Sequence, residues 1–201
     1  MTTKLRLASL TFVCSLLAAP TLADKGGNAG PSGGPAIGAP APDFELTDID
    51  GKTHKLAELK DKIVVLEWWN QDCPACQAAT PTMIETSRKL GEKGIVWIAV
   101  DSTHYQTADK NKAFRDSKSL PYPIAMDTDG KVGRAYGAKT TPHMFVINKG
   151  VLAYSGAIDN GAFGKPGDRV YVAEAVEELL AGKPVTLAET KPYGCSVKYK
   201  K

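Results

Sequence analysis

Residues 62–69 read KIVVLEWW, a run of β-branched and aromatic positions with charge before it and polar residues after it, the pattern of a central buried strand. The same signal recurs at GIVWIAVD (94–101), YPIAMD (122–127), HMFVIN (143–148) and VLAYSGAI (151–158), the last two joined across an NKG turn. Helical stretches separate the first four. One starts near residue 73 and runs to about Lys93. A second covers TADKNKAFRDS behind a Thr107 N-cap, and a third follows the turn in DGKVGRAYGA (129–138). The clearest helix lies in GDRVYVAEAVEELLAGKP (167–184), with Asp168 as N-cap. Its apolar side carries Val172, Val176, Leu179 and Leu180, and Gly182-Lys183-Pro184 stops it. Ahead of these, DFELTDIDGKTHKL alternates around a D-G turn as a small hairpin, and LAELK adds a helical turn. The order β-α-β-α-β-α-β-β-α predicts an α/β sheet covered on both faces.

Composition divides the chain further. Residues 1–23 carry a basic start (Lys4, Arg6), an apolar centre and small residues before Asp24, the pattern of a cleaved secretory signal peptide. The expectation is an exported protein, periplasmic or secreted, with no stable membrane anchor, and with Cys14 discarded. Residues 24–42 are dominated by Gly, Ala and Pro and read as a flexible tether. One domain spans 43–184, and 185–201 form a tail without a clear period. Losing Lys4 and Arg6 lowers the formal charge from +3 to +1, so nothing points to nucleic acid or an anionic membrane as partner. Three cysteines remain: Cys73, Cys76 and Cys195. They are too few to act as a disulfide scaffold.

The sequence Cys73-Pro74-Ala75-Cys76 stands at a predicted strand-to-helix junction. A thiolate is the reactive form of cysteine, and the free N–H groups and dipole of a helix N-terminus stabilise it. Cys73 at the cap is therefore the candidate nucleophile on a substrate disulfide, and Cys76, one turn deeper, the thiol that resolves the mixed disulfide. Two other readings remain open. A structural zinc would need four ligands, and Cys195, His104 and His143 supply no second paired motif. A staple across so short a loop would constrain little of the unfolded chain. Gln77 after Cys76 excludes covalent haem attachment.

Taken together, EWWNQDCPACQAATP (67–81), TTPHMFVIN (140–148), the opening IGAPAPDFEL and the closing LLAGKPVTLAETKPYGCSVKY resemble the thioredoxin-like redoxins. The likeness is to the exported TlpA-type and peroxiredoxin-like (AhpC–TSA) members, over about residues 37 to 198. It implies a thioredoxin-like fold: a central mixed β-sheet flanked by helices, with an N-terminal β-hairpin and a C-terminal tail. It also implies a cis bond before Pro142, which would leave the backbone at Thr141 free to pair with an extended substrate. Pro81 matches the kink of the active-site helix. Glu67 falls where thioredoxins carry a buried carboxylate behind the second cysteine. Its pKa is expected to be raised, and it is the candidate proton acceptor for Cys76; the alternative is an outward-facing or lysine-paired glutamate. Trp69 is a candidate wall of the substrate groove, with a core position as the alternative.

The activity implied is thiol–disulfide oxidoreduction without a cofactor or resident metal. Its substrates would be protein or small-molecule disulfides and thiols, and a membrane thiol-transfer protein would be the electron donor. Two rivals stand beside it. A thiol peroxidase of the peroxiredoxin-like group is one, although Leu66 and Asn70 replace the Pro and Ser/Thr of the peroxidatic motif. The other is a Cu(I) chaperone using Cys73, Cys76 and His143. Asp72 beside Cys73 opposes its ionisation and argues against a strongly oxidising pair. Cys195, behind the turn-forming Pro192 and Gly194, is a candidate third redox thiol if the tail folds back; otherwise it is a small buried residue.

Overall fold

A computed structural model describes residues 33–201. The expected signal peptide, Cys14 and residues 24–32 of the expected tether lie outside the described residues. In chain order the elements begin with β1 (Glu45–Thr47), β2 (Thr53–Lys55), a 3-10 turn (Leu56–Leu59), β3 (Ile63–Trp68) and α1 (Pro74–Gly91). Next come β4 (Val96–Asp101), α2 (Ala108–Lys118), β5 (Ile124–Met126), α3 (Lys131–Tyr136) and β6 (Thr140–Thr141). The chain closes with β7 (His143–Asn148), β8 (Val151–Gly156), α4 (Tyr171–Leu180) and β9 (Cys195–Ser196).

Five strands form the central sheet in the order β5-β4-β3-β7-β8. β3, β4 and β5 run parallel, and β7 and β8 are antiparallel additions. Alternation along β3 sends Val65, Glu67 and, just beyond it, Trp69 to one face and Val64, Leu66 and Trp68 to the other. The first face packs under α1 and α4 through Ala79, Met83, Val172 and Val176. The second face is covered by α3 and the β1–β2 hairpin through Tyr136, Phe44 and Leu46. This is the mixed, two-sided sheet that the apolar strands require, since a bare face would leave Val, Ile and Leu in water.

Three details differ from expectation. Residues 33–42 are hydrogen-bonded to the domain. Gly38 N–H donates to the Leu152 carbonyl at 2.8 Å, Leu152 N–H donates to that of Ala39, and Tyr136 Oη donates to that of Pro42. Asp168 does not cap α4. Its carboxylate accepts from Asn160 Nδ2 at 2.9 Å, inside a turn organised by Asp159, so the helix starts at Tyr171 behind Val170. Leu180 is 45% exposed: at the last position of the helix, it is Leu179 and not Leu180 that packs against the core. Thr107, in contrast, caps α2 as read, accepting from Lys110 N–H.

Candidate active site

Cys73 is the N-cap of α1, in extended conformation, and Pro74 follows at the first helical position, where its missing N–H costs nothing. Cys76 lies one turn in. Both are only 1% exposed. Pro81 stands inside the same helix, where it offers no N–H to the carbonyl of Gln77. The bond from Thr141 to Pro142 is cis. The Thr141 carbonyl lies 3.0 Å from Cys73 Sγ, within reach of its S–H.

Cys195 reaches the same place from the other end of the chain. β9 pairs antiparallel with β6, with Thr141 opposite Cys195, and the two sulfurs of Cys73 and Cys195 are 2.7 Å apart. Hydrogen bonding from Cys76, joined by that from Cys195, outweighs burial and lowers the Cys73 thiol from 9.0 to about 4. Burial and the neighbouring Cys73 charge push Cys76 well above 9.0. The same two causes take Cys195 to about 11. The negative charge of this trio therefore settles on Cys73. Asp72 does not counter it: its carboxylate is turned toward Gln106, accepting from Nε2 at 2.7 Å.

Glu67 is fully buried on the cysteine face of β3. Burial raises its carboxyl from 4.5 to about 7, offset in part by the Trp97 indole N–H, which donates to Oε2 at 2.8 Å. The Tyr122 hydroxyl lies beside the same carboxyl, yet it and Oε1 have no hydrogen-bond partner in the described structure. Trp97 and Tyr122 were not singled out from the sequence. Both sit in apolar runs, and only the pairing of β3 with β4 and the approach to β5 bring them to Glu67.

Two candidates are corrected. Trp69 does not flank a groove: it is 1% exposed and packs edge-on against Phe114 of α2 at 5.2 Å. Its aromatic bulk fills the core under the cysteine loop. His143 faces away from the thiols, stacked on Phe145 at 4.4 Å with its ring nitrogens near Lys139 N–H and Ser155 Oγ. Burial lowers its pKa to about 3. The set Cys73, Cys76 and His143 considered for Cu(I) is thus not brought together.

A model of the AhpC/TSA family matches residues 37–155. The chain belongs to the AhpC/TSA family. Within it, the chain is 37% identical over 113 residues to the thiol-disulfide oxidoreductase ResA of Bacillus thuringiensis subsp. konkukian, covering 56% of this chain. It spans 64% of the length of that relative. A hypothetical protein from Sinorhizobium meliloti is similar in structure, with a TM-score of 0.75, 25% identity, and 82% of this chain and 95% of the other covered. A thiol:disulfide interchange protein DsbE from Chlorobium tepidum, so described in putative form, gives a TM-score of 0.57 and 26% identity, covering 73% and 96%. This member of the AhpC/TSA family has a thioredoxin-like fold.

Proposed function

We propose that this chain is an exported thiol–disulfide oxidoreductase, periplasmic or secreted, working through Cys73-Pro74-Ala75-Cys76. The observation that carries the reading is the Cys73 sulfur at the start of α1, held as thiolate beside the Cys76 and Cys195 thiols. Cys73 attacks a substrate disulfide sulfur and forms a mixed disulfide, releasing one thiolate. Cys76 then attacks Cys73 Sγ, releasing the second thiolate and closing the 73–76 disulfide. Cys76 must first lose its proton, and Glu67, ionising near neutrality on the same face, accepts it. Thr141 and Pro142 position the exchanging sulfur. Protein or small-molecule thiols and disulfides are the substrates, and a membrane thiol-transfer protein is the electron donor. The names of the ResA and DsbE relatives favour this reading. No helix among the described residues is long and apolar enough to cross a membrane.

Membership of the AhpC/TSA family favours a second reading, peroxide reduction at Cys73. Leu66 and Asn70 stand at the motif positions that would help bind peroxide, and Asn70 is occupied in the loop itself, accepting from Asp72 N–H at 2.8 Å. Insulin-disulfide reduction and hydrogen peroxide consumption, measured side by side, separate the two. Disulfide exchange is expected, abolished in Cys73→Ser, with peroxide turnover at the background rate. Peroxide turnover that depends on Cys73 and outpaces disulfide exchange would overturn the assignment.

A further inference from the structure

The C-terminal segment is strapped across the site on both sides of Cys195. Before it, Thr190 Oγ1 accepts from Ala157 N–H at 2.8 Å, and the Tyr193 hydroxyl donates to Asp159. After it, Val197 N–H donates to the Lys139 carbonyl at 3.1 Å, and the Tyr199 hydroxyl donates to that of Ala138 at 2.8 Å. His104 N–H donates to the Lys198 carbonyl, and the Arg134 guanidinium lies 4.5 Å from the Tyr199 ring centre. Gly194 allows the approach: it holds φ +133, and a Cβ there would sit 2.1 Å from the Thr141 carbonyl oxygen. β9 therefore occupies the backbone edge beside Pro142 at which an extended substrate strand would pair. Of the three thiols, Cys73 and Cys76 are buried and Cys195 is half-buried, so a sulfur arriving from solvent meets Cys195 first.

We propose that Cys195 is the outer member of a three-thiol relay, Cys76–Cys73–Cys195, and the point at which external thiols and disulfides exchange with the protein. The proposal rests on the oxidoreductase reading above and moves the contact with the external sulfur from Cys73 to Cys195, Cys73 passing the exchange on to Cys76. Starting from the 73–76 disulfide, the Cys195 thiolate attacks Cys73 Sγ. The Cys73–Cys195 bond forms, the 73–76 bond breaks, and Cys76 leaves and takes a proton. An external thiolate then attacks Cys195 Sγ, forming a mixed disulfide and releasing Cys73, whose stabilised thiolate makes it the favoured leaving group. A second external thiolate attacks the mixed disulfide at the external sulfur. The external disulfide departs and Cys195 is restored. Two external thiols are oxidised and the 73–76 pair is reduced. The same steps in reverse reduce an external disulfide. Because β9 already holds the Thr141 edge, the partner needs no strand of its own, and a compact thiol such as glutathione suffices.

Two measurements test the relay. Cys76→Ser, oxidised with one equivalent of diamide and mapped without reductant, is expected to carry a Cys73–Cys195 disulfide. Oxidised Cys195→Ser, its fold checked by circular dichroism, is expected to be reduced by glutathione at least tenfold more slowly than wild type. Absence of the 73–195 crosslink, or a Cys195→Ser rate within threefold of wild type, overturns the relay. Cys73→Ser run in parallel separates the two readings: if it also exchanges at the wild-type rate, the oxidoreductase assignment itself fails.

Discussion

Beside Trp97 and Tyr122, the Glu67 carboxyl ionises near pH 7 instead of 4.5, so the folded protein holds a proton there that the unfolded chain has released. A raised carboxyl pKa makes stability fall as pH rises from about 4.5 through 7, by about 3 kcal/mol in all. Glu67→Gln, which keeps the shape and an acceptor for Trp97, is expected to unfold at a higher temperature than wild type at about pH 8. That difference should vanish below about pH 4.5, while exchange near neutrality slows. Melting curves that stay parallel across this range would remove the burial argument. Cys195 offers a second test. Cys195→Ala takes away one donor to the Cys73 thiolate and should raise its pKa by roughly one unit, read by ultraviolet thiolate absorbance. Cys195→Ser keeps a hydroxyl donor and should shift it less. Glu67, Cys73 and Pro142 stood out in the sequence because each breaks the rule of its own segment: an acid in an apolar run, a cysteine at a helix cap, a proline opening a strand. Trp69 broke no rule. An aromatic residue at a strand end looks the same whether it faces a groove or, as here, the core.

Elements with a repeating pattern were legible for the same physical reason that they form. β3 is buried on both faces and α1 on one, so an unbroken apolar run in the first and a helical period in the second record the burial. β6 and β9 have two residues each and no period at all. What makes them strands is the pairing of Thr141 with Cys195 across a long stretch of chain, a contact no local window contains. The start of α4 was misplaced in the same way, since Asp168 is claimed by Asn160 across the preceding turn. The strap's dependence on one residue can be measured. Gly194→Ala forces a Cβ into the Thr141 carbonyl, so β9 must lift away. Iodoacetamide labelling of Cys73 is then expected to accelerate several-fold, with far-UV circular dichroism unchanged. Unchanged labelling would mean that the strap does not shield Cys73.

At the scale of the whole molecule, the Cys73 thiolate links stability to redox state. Its pKa is lowered in the folded protein, to about 4 from 9.0, so reduced protein gains stability as pH rises between those values and loses it as pH falls through about 4. Oxidised protein has no such group. The melting temperature of reduced protein should therefore rise relative to that of oxidised protein as pH is raised from about 5 to 8. Because a stabilised thiolate favours the reduced form, the 73–76 pair should equilibrate with glutathione at a less negative potential than the about −270 mV of thioredoxin. A value at or below the thioredoxin figure would mean that the thiolate is not stabilised as described. The edges of the sheet carry a different consequence. Beyond β5, Asp48 and Ile49 bond to the outer strand through Ala125 and Ile124. Beyond β8, residues 38–41 and 188–190 line its outer side. β6 stands outside this sheet, paired with β9 in a two-stranded sheet of its own, so β5 and β8 are the two edges and both are covered. A sheet closed in this way resists sticking to copies of itself at high concentration, and any foreign strand that joins it must first evict a piece of this chain.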